Sequence, residues 1–396
     1  VKNYQPGVII VCTLLVVLCL PSCNAGQAGG PQPGLFTTAP GSPIAIPCGA
    51  SNVVAGDLNK DSRPDLIVTC GKEHALTVLT GTGNGQFRVS KQIPLPDGPG
   101  DIALGDLNGD GKLDLAFDSH DSYNVVVLLG DGQGGLALAP NSPIVMKEGA
   151  HPHTHGLAIG DLNGDSKPDL ITVNNADNDV SIAFGDGRGG FTRAPATFAV
   201  GPSPYPLALG DVNNDGSPDI IATNTATGPQ RAQQLPESFA VTLLLNDGHG
   251  SFRASRLPMR KGEPWFAAIG DVNGDHKADI LVSHHNQSAL TVLIGDGSGH
   301  FTEAASSPFD LGRTAFQFVL ADVNHDGRLD AVAAAGEGVG VMLGDGRGNF
   351  KAAPGSPFPT GRGVWRLAVT DTNSDGRPDI VTSNLESQSI SILLGQ

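Results

Sequence analysis

Short apolar runs separated by clusters of Gly, Asp and Asn recur along the chain from about residue 50 onward. Between Asp101 and Ala139 they read DIALGD, LDLAFD, NVVVLLG and GLALA. Runs of this length, rich in β-branched and aliphatic residues and bounded by turn formers, predict four β-strands and no helix. The two middle runs are apolar at nearly every position. That pattern fits strands covered on both faces, as in sheets stacked against neighbouring sheets.

The same order of runs returns seven times. The phrase D-x-N-x-D-x-x-x-D begins at Asp57, Asp106, Asp161, Asp211, Asp271, Asp322 and Asp371, with steps of 49, 55, 50, 60, 51 and 49 residues. A second phrase follows each, an apolar run ending in a Gly-rich turn: VLTGTGNGQF, VLLGDGQGGL, IAFGDGRGGF, LLLNDGHGSF, VLIGDGSGHF, VMLGDGRGNF and, at the C-terminus, ILLGQ. Self-similarity at this period with four strands per unit predicts an all-β, seven-bladed β-propeller of four-stranded blades. The last unit lacks a fourth strand, and Gly34–Ile44 (GLFTTAPGSPI) matches the fourth strand of the sixth unit, Gly348–Phe358 (GNFKAAPGSPF). An N-terminal strand is therefore expected to complete the last blade and close the ring, which would leave no open end.

Residues 34–396 resemble FG-GAP/VCBS repeats, the family that includes the propeller of integrin alpha subunits and many bacterial exported proteins. The resemblance implies the propeller fold and a bound metal. It does not imply one activity, because the family hosts adhesins, lectins and some polysaccharide lyases.

The acidic phrase has a chemical logic of its own. Hard cations take oxygen ligands, which a tight loop offers at alternate positions. The expected calcium ligands are Asp57, Asn59, Asp61, Arg63 and Asp65 in the first unit and Asp106, Asn108, Asp110, Lys112 and Asp114 in the second. The third and fourth units offer Asp161, Asn163, Asp165, Lys167, Asp169 and Asp211, Asn213, Asp215, Ser217, Asp219. The last three offer Asp271, Asn273, Asp275, Lys277, Asp279; Asp322, Asn324, Asp326, Arg328, Asp330; and Asp371, Asn373, Asp375, Arg377, Asp379. The seventh position would contribute its backbone carbonyl and the ninth a bidentate carboxylate. Calcium is preferred to magnesium because the loop presents more protein oxygens than octahedral magnesium usually accepts. The sixth position is Gly111, Gly216, Gly327 or Gly376 in four units and Ser62, Ser166 or His276 in three. A need for positive φ there would make those three loops the weaker ones.

Charge changes meaning in this light. The loops hold 21 of the 40 acidic residues, so the other 19 are outnumbered by 24 Lys and Arg. Up to seven structural calcium ions would bring the formal charge of −16 close to zero. The acidity thus calls for no cationic partner, and there is no basic stripe for nucleic acid.

The first residues predict export. Gly7–Leu20 is apolar, follows Lys2 and is too short for a membrane span. Residues 1–23 read as a signal peptide and 24–33 as a flexible linker. Leu20-Pro21-Ser22-Cys23 resembles a lipobox, which would make Cys23 a lipid-modified residue; ordinary cleavage after Ala25 is the alternative. The expected location is the bacterial periplasm or cell surface, lipid-anchored or secreted. Cys48 and Cys70 flank the first acidic hairpin, and an oxidising compartment permits a disulfide between them.

Function is expected on the face opposite the acidic loops, where loop lengths vary: Asn141–His155, and the insertion Thr225–Ser238. At one repeat position there stand His155, Tyr205, Trp265, Phe316 and Trp365, with Ser51 and Gly100 in the other two units. His74, His120, His151, His153, His284 and His285 fall on the same face. A ring of aromatic faces at a channel mouth could grip a Lys or Arg of a partner or stack on a sugar. The resemblance to integrin propellers leans toward the basic residue. Nucleophile elbow, H-E-x-x-H and phosphate loop are all absent from the sequence. The expectation is a monomeric binding or adhesion module for a protein or glycan; a polysaccharide-acting, lyase-like enzyme is the alternative.

Overall fold

The computed structural model describes residues 34–119, 121–148, 153–225, 240–260, 262–284 and 287–396. Cys23, the signal and linker segments, His120, His151, His285 and nearly all of the Thr225–Ser238 insertion lie outside the described residues.

The described chain is built of antiparallel strands, with one 3-10 turn at Gly71–Glu73. Each of the first six repeats forms a meander in which strands one to four are hydrogen-bonded in sequence order. In the second unit these are Pro99–Gly105, Asp114–Ser119, Val125–Gly130 and Leu136–Leu138. Its second strand is buried at every position, as the absence of an apolar/polar alternation required. Five sheets hold one unit each. A nine-stranded sheet holds the last two, because the long strand Phe358–Thr370 pairs with Gly336–Gly344 on one side and Asp379–Asn384 on the other.

The N-terminal strand Phe36–Thr38 pairs antiparallel with Ser389–Gly395, placing Phe36 opposite Gly395. The first strands of successive units lie against one another, and that of the seventh repeat, Phe358–Thr370, lies against Val53–Gly56 of the first. Apolar side chains fill the spaces between sheets. One cluster joins Ile67 and Leu76 of the first unit to Ile102, Leu115 and Phe117 of the second.

The outer strands follow a rule that the sequence reading left unused. In four units the fourth strand ends in Ala-x-x-Ser-Pro, and the serine hydroxyl accepts a third-strand amide. The pairs are Ser42 with Ile392 N, Ser142 with Val127 N, Ser307 with Val292 N and Ser356 with Val341 N, at 2.8–3.0 Å. The hydroxyl replaces a ladder carbonyl where the outer strand turns away. The first, third and fourth units lack this clamp; the first and fourth keep longer outer strands, Gln86–Pro94 and Phe252–Pro258, and the third a short one, Phe191–Arg193.

Candidate functional site

Two places gather polar chemistry, at opposite ends of the first strands. One is the acidic loop that follows each strand. The first-position carboxylate accepts the amide of position six at 2.7–2.8 Å in all seven loops. The third-position amide oxygen accepts the amide of position five at 2.9–3.0 Å.

The ninth-position Asp is buried. One oxygen accepts the amide of position two, as in Leu107 N to Asp114 at 2.9 Å; the other accepts an amide at the end of the third strand, as in Gly130 N to Asp114 at 2.7 Å. That third-strand residue is Gly in six units, since a Cβ would strike the carbonyl before the ninth position, for example Leu113 O. The fourth unit has Asn246 instead, whose Nδ2 donates to the corresponding carbonyl, Pro218 O, at 3.1 Å.

The ninth-position oxygens, expected as a bidentate metal ligand, are thus engaged with backbone amides. Several seventh-position side chains pair with the fifth-position carboxylate: Arg63–Asp61 at 2.6 Å, Lys112–Asp110 at 2.9 Å and Arg328–Asp326 at 2.8 Å. Among the described residues no three His, Cys, Asp or Glu side chains meet in a metal-ready group. The donor chemistry nevertheless suits a hard cation, being all oxygen with three carboxylates per loop. Burial, and then the charges of Asp110 and Asp106, push Asp114 up to about 6. Burial, and then the charges of Asp326 and Asp322, push Asp330 up to about 7. A positive charge near these loops would relieve that repulsion.

The sixth position has positive φ in every loop, including Ser62 at 66°, Ser166 at 64° and His276 at 62°. The fourth position does too, which the sequence reading missed: Gly109 at 75°, but Lys60 at 60° and Asn214 at 60°. Only the first loop has a non-glycine residue at both.

The second place is the other end of the first strands. Here five aromatic side chains form an arc: His155 and Tyr205 are 4.4 Å apart, Tyr205 stacks on Trp265 at 5.1 Å and 19°, and Phe316 meets Trp365 at 4.7 Å. Trp265 Nε1 donates to Phe316 O at 2.9 Å and bridges the two groups. His155 and Trp265 are buried, whereas Tyr205, Phe316 and Trp365 are half-buried. Burial, helped by the charge of Asp101, pushes the Tyr205 phenol up to about 12, so it stays a neutral donor.

Next to each arc residue, and next to Ser51 and Gly100 in the other two units, is a second one that the sequence reading passed over. These seven, Asn52, Asp101, Gly156, Pro206, Phe266, Gln317 and Arg366, all line one narrow space between the sheets. In five units the strand register shifts at or beside this pair, as between Pro99 and Ile102 and between Val364 and Arg366. Such a bulge lets two consecutive residues serve the same space. The signal was present, since DIALG and WRLAV each carry a charge inside an otherwise apolar strand.

Four of the seven are polar and adjacent. Arg366 Nη2 meets Asp101 Oδ1 at 3.2 Å, and its guanidinium carbon lies 5.2 Å from the Trp365 ring centre. Asn52 Nδ2 reaches Asp101 Oδ1 at 3.5 Å and Gly156 N donates to Asp101 Oδ2 at 3.2 Å. Gln317 Oε1 accepts from Leu367 N at 2.8 Å. Behind Asp101, Asp118 Oδ1 accepts the Asp101 amide at 2.7 Å. Complete burial and the charge of Asp101 hold Asp118 well above the usual carboxylate range. Above this layer opens a cavity of about 380 Å3 lined by Ser51, Asn52, Lys72, Gly100, Asp101, Tyr205, Trp365 and Arg366 among others.

The histidines disperse. His74 Nε2 is 3.3 Å from Asp121, His153 packs 4.4 Å from His155, and His284 is buried against Thr291 at 2.7 Å. Cys48 and Cys70 are in disulfide contact, with Cα atoms 5.2 Å apart.

Radially arranged four-stranded sheets around a shared space define a β-propeller. The sequence matches the FG-GAP-like repeat family over residues 57–117, 161–222, 271–333 and 322–382, and the chain belongs to that family. No curated protein matches it. Among solved structures it is similar to BBS1N in complex with ARL6DN (TM-score 0.62, 12% identity, 92% of this chain and 98% of that one). It is also similar to virginiamycin B lyase from Staphylococcus aureus (TM-score 0.55, 12% identity, covering 90% and 99%). A third is an Agrocybe aegerita lectin that recognises non-reducing terminal N-acetylglucosamine (TM-score 0.52, 18% identity, covering 78% and 80%). At these identities the likeness concerns the fold, which hosts binding and catalysis alike.

Proposed function

We propose that this chain is an exported, calcium-stabilised binding module that takes a protein or glycan ligand at the mouth of its central space, opposite the acidic loops. The observation carrying the reading is the cavity of about 380 Å3, where aromatic faces and hydrogen-bonding groups converge on an open space. Binding is favoured over catalysis by the state of the acids: Asp101 is already paired with Arg366, and Asp118 is fully buried behind it. Trp265→Ala with Trp365→Ala should abolish capture on glycan and surface-protein arrays run with calcium. Capture that survives while the protein is destabilised would reduce the arc to packing and end the reading.

The scaffold in this proposal is one closed ring of seven blades. It is supported by the contact of Phe358–Thr370 with Val53–Gly56 and by the pairing of Phe36–Thr38 with the last strand. A chain starting at Pro47 should aggregate or melt far earlier than one starting at Gly34; equal stability would refute closure by this segment. The carboxylates of positions one, five and nine, the Asn of position three and the carbonyl of position seven would hold each ion, whose role is structural.

A further inference from the structure

The aromatic arc stops at two adjacent units. Where five units place a ring, the first and second place Ser51, just before the strand Val53–Gly56, and Gly100, in Pro99–Gly105, and these two strands lie side by side. The missing rings uncover what lies beneath, so that Asn52, Asp101 and Arg366 line an open cavity instead of a sealed core. Half-buried Trp365, at one edge of the gap, and half-buried Tyr205, next beyond buried His155 at the other, also line it. Below, the seven second residues close in around a space of only about 20 Å3, so the cavity is a dead end.

We infer that this notch receives one terminal sugar residue of a glycan. The inference rests on the reading of the mouth as the ligand site and gives that ligand a chemical class. A sugar ring has an apolar C–H face suited to an indole or phenol face, and a rim of hydroxyls that each donate and accept. The notch offers both complements: carboxylate oxygens of Asp101 as acceptors, and Asn52 Nδ2, the Arg366 guanidinium and the Tyr205 hydroxyl as donors. A volume of about 380 Å3 lies at the small end of ligand pockets. It accommodates one ring with some water, and its closed floor admits no chain passing through.

Charge argues against a basic side chain as the occupant. Arg366 already covers Trp365 and pairs with Asp101, and Lys72 stands at the rim. A second cation would meet a cavity whose lining acid, Asp101, is already paired. A neutral polyol loses nothing by that pairing.

The test uses the full chain with calcium and the methyl glycosides of glucose, galactose, mannose, fucose and N-acetylglucosamine. Saturation-transfer NMR reports contact, and tryptophan emission reports stacking, because the only two indoles, Trp265 and Trp365, both lie in the arc. At least one glycoside should bind, with a dissociation constant on the order of 1 mM, and should shift the emission. Gly100→Trp, in the extended strand Pro99–Gly105, supplies a missing ring and should weaken that binding at least tenfold at unchanged melting temperature. Asn52→Ala, which removes one hydrogen-bonding partner, should weaken it severalfold and stands in if Gly100→Trp does not fold.

Binding that both variants leave intact would overturn the notch as the sugar site. Wild-type protein that binds no glycoside, or that binds lysine methyl ester in their place, would overturn the sugar assignment. The wider proposal then stands or falls separately on the array result for the Trp265 and Trp365 pair.

Discussion

Each first strand joins two ends that follow opposite rules. At the loop end the residues repeat: all seven units place Asp at positions one, five and nine and Asn at position three, and all seven ninth-position acids accept the same two kinds of amide. At the mouth end no pair of neighbouring residues recurs. Ser51-Asn52, Gly100-Asp101, His155-Gly156, Tyr205-Pro206, Trp265-Phe266, Phe316-Gln317 and Trp365-Arg366 occupy equivalent places. The loop solves a problem local to each blade, tying its first hairpin to its third strand, so one solution serves seven times. The mouth belongs to all blades jointly, and identical residues there would leave nothing to distinguish one side from another.

The sharpest break between the two ends should come from chelation. If the loops hold calcium, excess chelator should lower the melting temperature by more than about 10 °C, and native mass spectrometry should count up to seven ions. Unchanged melting would put the loops on the same footing as any polar turn. Next in size is Asp114→Ala, which removes a buried carboxylate that accepts two amides and should cost about 3 kcal/mol by denaturant unfolding. A loss below about 1 kcal/mol would mean the tie is dispensable.

The mouth face should show its own pH response. Burial pushes His284 down to about 4 from its ordinary value of 6.5, with the charge of Glu303 opposing. Between those values the unfolded chain binds a proton that the folded one refuses, so the contribution of His284 to stability should fall as pH drops through that window, against the opposite contribution of the raised ninth-position acids. His284→Gln should remove that contribution, so the variant should gain stability relative to the wild type as pH falls from about 6.5 to 4; a difference between the two proteins that does not change with pH would discard this account. The smallest effect concerns the first loop, whose fourth and sixth positions are left-handed without glycine. Lys60→Gly should raise stability by about 0.5 kcal/mol; the same change at Asn108, which has no such strain and accepts the Asp110 amide, should lower it instead.

The repeats made the fold legible. Strand pattern, unit boundaries and the pairing of Phe36–Thr38 with the last strand could all be read from spacing, because each is encoded locally and many times over. The arc residues were legible for the same reason, as deviations at a fixed repeat position. The partners Asn52, Asp101, Gln317 and Arg366 were not singled out. Their significance depends on bulges that turn two consecutive residues inward and on contacts between units 265 residues apart, as for Arg366 and Asp101. The fourth-position φ and the serine clamps escaped because each rests on backbone geometry that residue type alone does not announce.

The clamps have a consequence for how these molecules share space. Every fourth strand is an edge, and a bare edge invites a strand from another molecule. In the clamped units the edge runs for three residues, as in Leu136–Leu138 and Phe301–Glu303, before the serine draws the chain off the ladder. The unclamped edge of the third unit is as short, Phe191–Arg193, while the other two unclamped edges run for nine and seven residues, and each carries two exposed cations: Arg88 and Lys91 in one, Arg253 and Arg256 in the other. A neighbouring copy therefore finds either too short a template or one that repels its own like edge. A molecule whose regular structure, among the described residues, is almost all strand can in this way remain dispersed even when many copies crowd together.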